Sequence, residues 1–252
     1  MTSGKFKDHF STASAGYAAH RPTYPAALVD ELAAISPDNG RALDCGCGTG
    51  QLSVLLAKRF DEVVATDASA AQIEKAEPCR GVTYRTALAE DSGLPNASVD
   101  LITVAQAAHW LDLERFYAEC KRIARPNAAI ALITYGVLHV EGEVDAAVQK
   151  FYYETIGPYW PQERRHVENG YASLQFPFRE AVLPAFSIEV SWTRDELVGY
   201  LNTWSAVRSA EKALGKNPVD QFENDLRAGW GDDKLRRRVT WPLSIRCGHI
   251  LD

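Results

Sequence analysis

The sequence has no apolar run approaching the roughly 18 residues of a membrane span, and its first residues hold no apolar core of signal-peptide length. It also has no long basic run, and its formal net charge of −6 argues against a dedicated nucleic-acid-binding protein. The short basic stretch at residues 234–238 is interpreted as the solvated edge of a strand. We therefore expect a cytoplasmic chain without a membrane or nucleic-acid partner.

The cysteines do not form a paired framework. There are five of them, an odd number, and two, Cys45 and Cys47, lie inside a glycine-rich segment. This usage fits a reducing compartment better than a disulfide-bonded secreted fold. The C-x-C spacing is compatible with metal binding, but no second Cys or His pair with ligand spacing accompanies it. We therefore expect no metal.

The composition is otherwise that of an ordinary globular domain. Of the 252 residues, 46% are hydrophobic and 24% are charged, which are usual fractions for such proteins. A chain of this length can bury a core without disulfides or metals. No repeat and no low-complexity segment interrupts it. A single domain is therefore expected.

Short apolar runs alternate with helix-like segments up to about residue 135, which is typical of a doubly wound parallel sheet. After residue 136 the character changes, but two more strand-like runs follow. We therefore predict an α/β fold with a doubly wound, seven-stranded, mostly parallel sheet. The predicted strands are 41–43, 63–66, 82–85, 101–104, 129–134, 187–192 and 239–250. The predicted helices are 25–35, 51–60, 70–76, 113–124, 143–153 and 194–205.

The first predicted strand runs into a glycine-rich loop, residues 44–50, with the sequence DCGCGTG. In open α/β sheets, ligands bind outside the carboxyl ends of the strands, and the first β-to-α turn is a favoured place. Gly46, Gly48 and Gly50 permit backbone conformations that other residues avoid and let the main chain approach a ligand closely. Their G-x-G-x-G spacing differs from the dinucleotide fingerprint G-x-G-x-x-G. The loop therefore predicts a cofactor other than a dinucleotide.

Two acidic residues accompany this loop. Asp44 precedes the first glycine, where a carboxylate disfavours an anionic pyrophosphate and favours a ligand with ammonium and sulfonium groups, such as S-adenosylmethionine. Asp67 ends the second strand, about 20 residues further on, where an acidic side chain can accept hydrogen bonds from both ribose hydroxyls. The alternative is that Asp67 only caps the following helix, near Ser69.

At these residues the sequence resembles the class I S-adenosylmethionine-dependent methyltransferases of the type 11-like group. The resemblance is to the small-molecule branch that includes trans-aconitate methyltransferase, and it covers residues 6–135 well and the C-terminal part loosely. One departure is Pro126-Asn127-Ala128, where the family commonly has Pro-Gly-Gly; Asn tolerates left-handed dihedrals, so the turn can survive. The other is a short segment at 94–100 that lacks its usual phenylalanine. The further matching segments are 17–25, 66–69, 89–95 and 108–110.

The resemblance implies a Rossmann-like methyltransferase fold in one domain, residues 1–252, with lid insertions toward the C-terminus. It also implies that Tyr17 and Arg21 fold over the methionine end of the cofactor, that Gln106 lies beside it, and that Ala89 and Glu90 line the adenine. The implied regions are an N-terminal helical cap over the cofactor (1–36), a cofactor-binding core (40–135), substrate-side insertions with a returning strand (136–235) and a final strand (236–252). The expected cofactor-binding residues are Tyr17, Arg21, Asp44, Gly46, Gly48, Gly50, Gln51, Asp67, Ala68, Ala89, Glu90 and Gln106.

His109 is the candidate for a catalytic base or for a group that orients the methyl acceptor, because it follows the fourth predicted strand. The alternative is a histidine packed at a helix start beside Trp110. Trp110, Tyr135, Tyr159 and Trp160 could form an aromatic wall over a small acceptor. Each is equally well explained as part of a lid core, since aromatics dominate cores as well.

The sequence therefore predicts methyl transfer from S-adenosylmethionine, with S-adenosylhomocysteine as product, to a small molecule, at a carboxylate or hydroxyl oxygen. A non-catalytic S-adenosylmethionine-binding protein remains an alternative. An NAD(P)-dependent oxidoreductase on the same broad fold is another, although the glycine spacing and the absence of a catalytic Tyr-x-x-x-Lys pattern weigh against it. The acceptor and the oligomeric state do not follow from the sequence.

Overall fold

The computed structural model describes residues 23–250. The predicted contacts of Tyr17 and Arg21, and most of the predicted N-terminal cap, lie outside the described residues. In the described part of the chain, no helix is both long enough and apolar enough to cross a membrane.

The described residues form a sheet whose strands are β1 (Arg41–Cys45), β2 (Glu62–Asp67), β3 (Val82–Thr86), β4 (Val99–Ala105), β5 (Ala124–Tyr135), β6 (His139–Val140), β7 (Arg179–Ala181), β8 (Ser187–Trp192) and β9 (Arg237–His249). Five of them are parallel, in the order β3-β2-β1-β4-β5, and are followed by β9, which pairs antiparallel with β5. The strands β1, β2, β4 and β5 are buried along most of their length, as expected for a parallel sheet covered on both faces.

These nine strands occupy seven positions in the sheet. On one side of β9, Tyr135 pairs with Leu243 and His139 pairs with Thr240, so β6 continues the β5 ladder after a short interruption. On the other side, β7 and β8 pair with successive parts of β9 and together form one interrupted edge strand. The predicted seven-stranded, mostly parallel sheet is confirmed, with two of its positions each divided into two segments.

Helices cover both faces of this sheet. They are α1 (Ala26–Ile35), α2 (Ser53–Leu56), α3 (Ala70–Ile73), α4 (Leu113–Ile123), α5 (Val144–Lys150), α6 (Arg164–Glu168), α7 (Arg194–Leu201), α8 (Ser205–Leu214) and α9 (Pro218–Trp230). The predicted helices at 51–60 and 70–76 are shorter than expected, because turns flank α2 and α3. Three helices, α6, α8 and α9, were not predicted. Of these, α9 begins at a clear signal, since Asn217 caps it and Pro218 occupies its first turn.

Successive side chains of a strand point to opposite faces of the sheet, so the hydrophobic core is divided into two clusters, one on each face. In β5, Ala129, Ala131 and Ile133 join the cluster that contains α1, α5 and α7 to α9. Ile130 and Leu132 point the other way and join the cluster that contains α4 and α6. The helices within residues 136–235 thus extend a hydrophobic core beside the sheet. Because the sheet is packed on both faces, a ligand can reach it at the carboxyl ends of its strands.

The Pro-Asn-Ala departure from the family pattern lies in the first part of β5, where the register with β4 shifts between Val99 and Leu101. Asn127 has φ of +61°, in the left-handed region. Asn tolerates this conformation better than most residues with a Cβ. The expected left-handed Asn is therefore present, as an irregularity within the strand and not as a turn before it.

Candidate active site

The glycine loop leaves β1 in a left-handed conformation. Gly46, Gly48 and Gly50 have φ of +65°, +57° and +87°. A Cβ added to Gly46 would lie 2.6 Å from the Cβ of Ala107, and one added to Gly50 would overlap the ring of Tyr84. The dihedrals favour glycine at all three positions, and close packing requires it at Gly46 and Gly50 as well.

Asp44 lies at the base of this loop and is 1% exposed. Its two carboxylate oxygens accept hydrogen bonds from the hydroxyls of Ser53 at 2.6 Å and Thr103 at 2.9 Å. Burial raises the pKa of Asp44 from 3.8 to about 6, although both hydroxyl bonds oppose the rise. At neutral pH the site therefore holds a buried negative charge with no cation bonded to it among the described residues, which favours a cationic ligand.

Asp67 ends β2 next to the same loop. One of its carboxylate oxygens accepts a hydrogen bond from the backbone N–H of Gly48 at 2.9 Å, and the other accepts one from the N–H of Ser69 at 2.8 Å. The second bond goes to the residue that precedes α3, and no side chain caps that helix, so the capping alternative does not describe Asp67. The same carboxylate lines the cavity described next.

A cavity of about 570 Å³ opens at the carboxyl ends of β1, β2, β4 and β5. This volume is within the usual range for sites that bind small molecules, roughly 300–1,000 Å³. Twelve of its lining residues are among the site residues predicted from the sequence. They are Asp44, Gly46, Gly48, Gln51, Asp67, Ala68, Ala89, Glu90, Gln106, His109, Trp110 and Tyr135.

The lining of this cavity is acidic. Among the described residues that line it, the positively charged side chain is that of Arg115, whereas five side chains are carboxylates. Opposite charge near a site favours the charged form of a ligand and raises its local concentration. The carboxylates are those of Asp44, Asp67, Glu90, Asp112 and Glu163.

Gln106 follows β4 with φ of +59°, an uncommon value for a residue with a Cβ. Its side-chain amide is fixed on both sides, because Nε2 donates to the carbonyl of Tyr135 at 2.9 Å and Oε1 accepts from the hydroxyl of Thr134 at 2.8 Å. Non-glycine residues held in such dihedrals cluster at functional sites. Gln106 is thus a rigid part of the cavity wall.

His109 lies in a short 3₁₀ turn after β4, with its Nδ1 2.9 Å from the hydroxyl of Tyr171. Burial, with a smaller electrostatic contribution from the nearby Arg164 and His166 side chains, lowers the pKa of His109 from 6.5 to about 3. The imidazole is therefore neutral at physiological pH. A group with so low a pKa is a poor proton acceptor, because an efficient base has a pKa near the working pH.

Three predicted residues within the described chain do not line this cavity. Gly50 packs against Tyr84 at the back of the loop. Tyr159 and Trp160 pack into the core instead, where the Trp160 ring contacts Tyr152 and lies under the guanidinium of Arg164 at 4.7 Å. The lid-core alternative describes these two aromatic residues, because Tyr159 packs against the hydrophobic core and the Trp160 ring lies against those of Tyr152 and Trp204. Tyr17 and Arg21 lie outside residues 23–250.

Half of the cavity lining was not predicted. Several of these residues adjoin predicted ones in sequence, so a wider window around each motif would have included them. Glu163 carries no sequence signal, because it comes from the turn before α6 and is the one lining residue within 136–235. The unpredicted residues are Tyr24, Cys47, Leu52, Gln72, Ala87, Leu88, Ala105, Ala107, Leu111, Asp112, Arg115 and Glu163.

The two cysteines of the loop are protonated thiols. Burial raises the pKa of both Cys45 and Cys47 well above the usual value, and the nearby Asp44 charge adds to the rise. A metal ligand or nucleophile requires the thiolate. Within residues 23–250, no three His, Cys, Asp or Glu side chains are grouped closely enough to hold a metal ion.

Comparison with known proteins gives concordant matches. A family described as a methyltransferase domain matches residues 43–132. A Dictyostelium discoideum protein named as a methyltransferase is 39% identical over 246 residues, which cover 93% of this chain and 92% of that protein. A Saccharomyces cerevisiae protein named as an S-adenosylmethionine-dependent methyltransferase is 33% identical over 131 residues, covering 48% and 45%. A solved structure, described as a type II methyltransferase from Anaeromyxobacter dehalogenans, has 49% identity and a TM-score of 0.88, covering 92% of this chain and 98% of that one.

Proposed function

Because this chain belongs to the class I methyltransferase family, we propose that it transfers a methyl group from S-adenosylmethionine to a small-molecule acceptor, at a carboxylate or hydroxyl oxygen. The observation that carries the proposal is the acidic cavity at the carboxyl ends of the parallel strands, bounded by a left-handed glycine loop. The printed name of the yeast relative, which specifies S-adenosylmethionine, supports the same cofactor.

The donor and acceptor groups of the cavity fit an adenosyl sulfonium. In the proposed complex, the Asp67 carboxylate accepts the ribose hydroxyls, and the buried charge of Asp44 favours the cationic amino acid end. Gly46 and Gly48 give the ligand direct access to the main chain. Ala89 and Glu90 would lie along the adenine. The remaining proposed contacts are those of Tyr17, Arg21, Gly50, Gln51, Ala68 and Gln106, with Gly50 acting through the shape of the loop.

The cofactor supplies an activated methyl group, so the protein has little covalent chemistry to perform. Its residues must align the acceptor and exclude water, and alignment alone can lower a barrier by several kcal/mol. The fixed amide of Gln106 and the neutral ring of His109 provide rigid walls for this purpose. A carboxylate acceptor needs no base, whereas a hydroxyl acceptor must lose a proton.

The acceptor would occupy the side of the cavity lined by His109, Trp110 and Tyr135. The aromatic rings favour a partly apolar molecule, and the volume of the cavity favours a small one. We do not assign Tyr159 and Trp160 to the acceptor, because both pack against the hydrophobic core and neither lines the cavity. The proposed acceptor is therefore a small organic acid or alcohol with an apolar portion.

Thermal unfolding tests the cofactor first. We expect S-adenosylmethionine and S-adenosylhomocysteine to raise the melting temperature, because a ligand that binds only the folded state stabilises it by mass action. NADH serves as the control and should leave the melting temperature unchanged. The proposal fails if NADH stabilises the protein and the two adenosyl compounds do not.

Turnover requires a second experiment. A panel of small organic acids and alcohols is incubated with the protein and S-adenosylmethionine, and release of S-adenosylhomocysteine is measured through its conversion to homocysteine. At least one acceptor should give a rate that the Asp67→Ala variant lowers at limiting cofactor. Binding of the cofactor without turnover on any acceptor would favour the alternative, a non-catalytic S-adenosylmethionine-binding protein.

A further inference from the structure

Tyr171 is a fully buried residue with φ of +64°, directly after Gly170 at the end of α6. Left-handed backbone is unfavourable for a bulky side chain and persists where the surroundings hold it in place. The backbone N–H of Tyr171 donates to the carbonyl of His166 at 2.8 Å, which closes the end of the helix. The strained backbone brings the phenol ring to the back of the candidate site.

The hydroxyl of Tyr171 lies 2.9 Å from Nδ1 of His109, and the two rings are 5.8 Å apart. The side-chain hydroxyl of Thr134 and the backbone N–H groups of Ala108 and His109 also interact with the phenol oxygen. Because amides can only donate, they take up lone pairs of that oxygen and leave its single proton for another acceptor. Two acceptors face this proton. One is the Thr134 oxygen, whose own proton goes to Oε1 of Gln106, and the other is Nδ1 of His109, which at 2.9 Å forms the direct hydrogen bond with the phenol.

The pair is neutral. Burial raises the pKa of Tyr171 well above its ordinary value, so the phenol keeps its proton. Burial also keeps His109 uncharged. The hydrogen bond between them is therefore one between two neutral groups, and its direction decides which ring nitrogen of His109 carries the proton.

We propose that Tyr171 is a positioning residue that donates its hydroxyl proton to Nδ1 of His109 and thereby holds the imidazole proton on Nε2. His109 lines the cavity, and Nε2 is the ring nitrogen left for a ligand. His109 is then a hydrogen-bond donor that recognises a lone pair on the methyl acceptor, and it does not remove a proton from it. This last consequence rests on the proposed function, whereas the tautomer itself does not.

The tautomer can be measured without any ligand. The protein is labelled with nitrogen-15 in its six histidines, and long-range proton–nitrogen NMR distinguishes protonated from unprotonated ring nitrogens. The signals of His109 are assigned by their loss in His109→Gln. We expect an unprotonated Nδ1 and a protonated Nε2 in the wild type. In Tyr171→Phe, the preference for this form should fall about tenfold, which corresponds to the loss of one hydrogen bond.

Tyr117→Phe is the matched control. Tyr117 is also buried in the same core, and its hydroxyl donates to the carbonyl of Gln175 at 2.7 Å, with no hydrogen bond to His109. Both variants remove one buried, bonded hydroxyl and keep the ring, so they should lose similar stability. Only Tyr171→Phe should change the His109 signals.

Two results would overturn the proposal: a wild-type His109 with its proton on Nδ1, or a tautomer that Tyr171→Phe leaves unchanged. Titration calorimetry with S-adenosylhomocysteine on the same samples tests the proposed function independently of the tautomer. If the wild type fails to bind S-adenosylhomocysteine, the proposed function is wrong, and the tautomer result still stands. If Tyr171→Phe binds it with unchanged affinity while the tautomer shifts, both proposals are supported.

Discussion

A carboxylate oxygen of Asp67, at the end of β2, accepts a hydrogen bond from the backbone N–H of Gly48, in the loop that follows β1. The donor and acceptor are 2.9 Å apart and connect two neighbouring strands across the mouth of the cavity. An ionised carboxylate has about four lone-pair sites, and the amides of Gly48 and Ser69 use two of them. The remaining sites can accept two hydroxyl groups of a ligand without breaking this link.

The first prediction concerns Asp67→Ala. We expect the affinity for S-adenosylhomocysteine to fall about tenfold or more, because hydrogen bonds to a charged group contribute roughly 1.5–3 kcal/mol. Titration calorimetry measures the change directly. Asp61→Ala is the control, since Asp61 is an exposed carboxylate immediately before the start of the same strand. Equal affinities for the wild type and Asp67→Ala would contradict the assignment.

The second prediction is that Asp44→Asn stabilises the protein at pH 7 while it weakens cofactor binding. The folded-state pKa of about 6 lies above the ordinary value of 3.8 for an aspartate. The folded state therefore binds the proton more tightly, and the wild type loses stability as the pH rises from about 4 to about 6. Removing the buried charge should raise the free energy of unfolding by about 1–3 kcal/mol at neutral pH.

Denaturant unfolding at pH 4 and pH 7 measures this effect. Asp100→Asn provides the contrast, because Asp100 is also buried but is bonded to the guanidinium of Arg125 at 2.7 Å and to the backbone N–H of Arg41 at 2.8 Å. That variant should lose stability at pH 7. If Asp44→Asn is as destabilised at pH 7 as Asp100→Asn, the buried charge of Asp44 does not destabilise the folded state.

The third prediction separates backbone strain from close packing in the glycine loop. Gly46 and Gly93 have similar φ values, +65° and +68°. A Cβ on Gly46 would lie 2.6 Å from that of Ala107, whereas a Cβ on Gly93 would have no neighbour within 4 Å. Gly93→Ala should therefore cost only the left-handed strain, about 1–2 kcal/mol. Gly46→Ala should cost more and should also reduce cofactor affinity, as measured by unfolding and by calorimetry.

The fourth prediction concerns the pH dependence of stability. The folded-state pKa of His109, about 3, lies below the usual 6.5, because the ring is buried and faces Arg164 and His166. The unfolded state binds more protons between these two values. The stability contributed by neutral His109 is therefore complete above pH 6.5 and is lost as the pH falls toward 3.

Denaturant unfolding at pH 7 and pH 5 tests this dependence. Between pH 7 and pH 5, the free energy of unfolding should fall less in His109→Gln than in the wild type, by about 1–2 kcal/mol. His139→Gln serves as the control for replacing an exposed histidine, because its side chain is 52% exposed. Identical pH profiles for the wild type and His109→Gln would show that the ring is not desolvated.

The fifth prediction compares two tryptophans. Trp110 lines the cavity, whereas Trp160 packs against Tyr152 and Trp204 in the C-terminal core. Trp160→Phe should lower the melting temperature and leave turnover kinetics on the identified acceptor unchanged. Trp110→Phe should raise the KM for the acceptor more than it changes the melting temperature. A raised KM for the acceptor in Trp160→Phe would show that Trp160 contributes to acceptor binding.

Much of the cofactor side could be predicted because its residues follow strands directly. The carboxyl ends of parallel strands meet at one edge of the sheet, so the strand order alone brings Asp44, Asp67 and Gln106 together. Gly50 is the exception on that side, since its packing partner Tyr84 comes from β3. The acceptor side was less predictable. Tyr159 and Trp160 have the composition of a binding wall, but aromatic composition does not distinguish a wall from a core.

The sequence by itself determined the sheet, the glycine loop and the acidic side chains beside it, because these depend on local periodicity and on spacing along the chain. Only the tertiary structure decided how the lone candidate base behaves. His109 and Tyr171 are far apart in sequence, and the depressed pKa of the imidazole arises from burial and from charges that α6 brings near it. Desolvation and long-range hydrogen bonds depend on how the elements pack, and no local pattern in the chain encodes them.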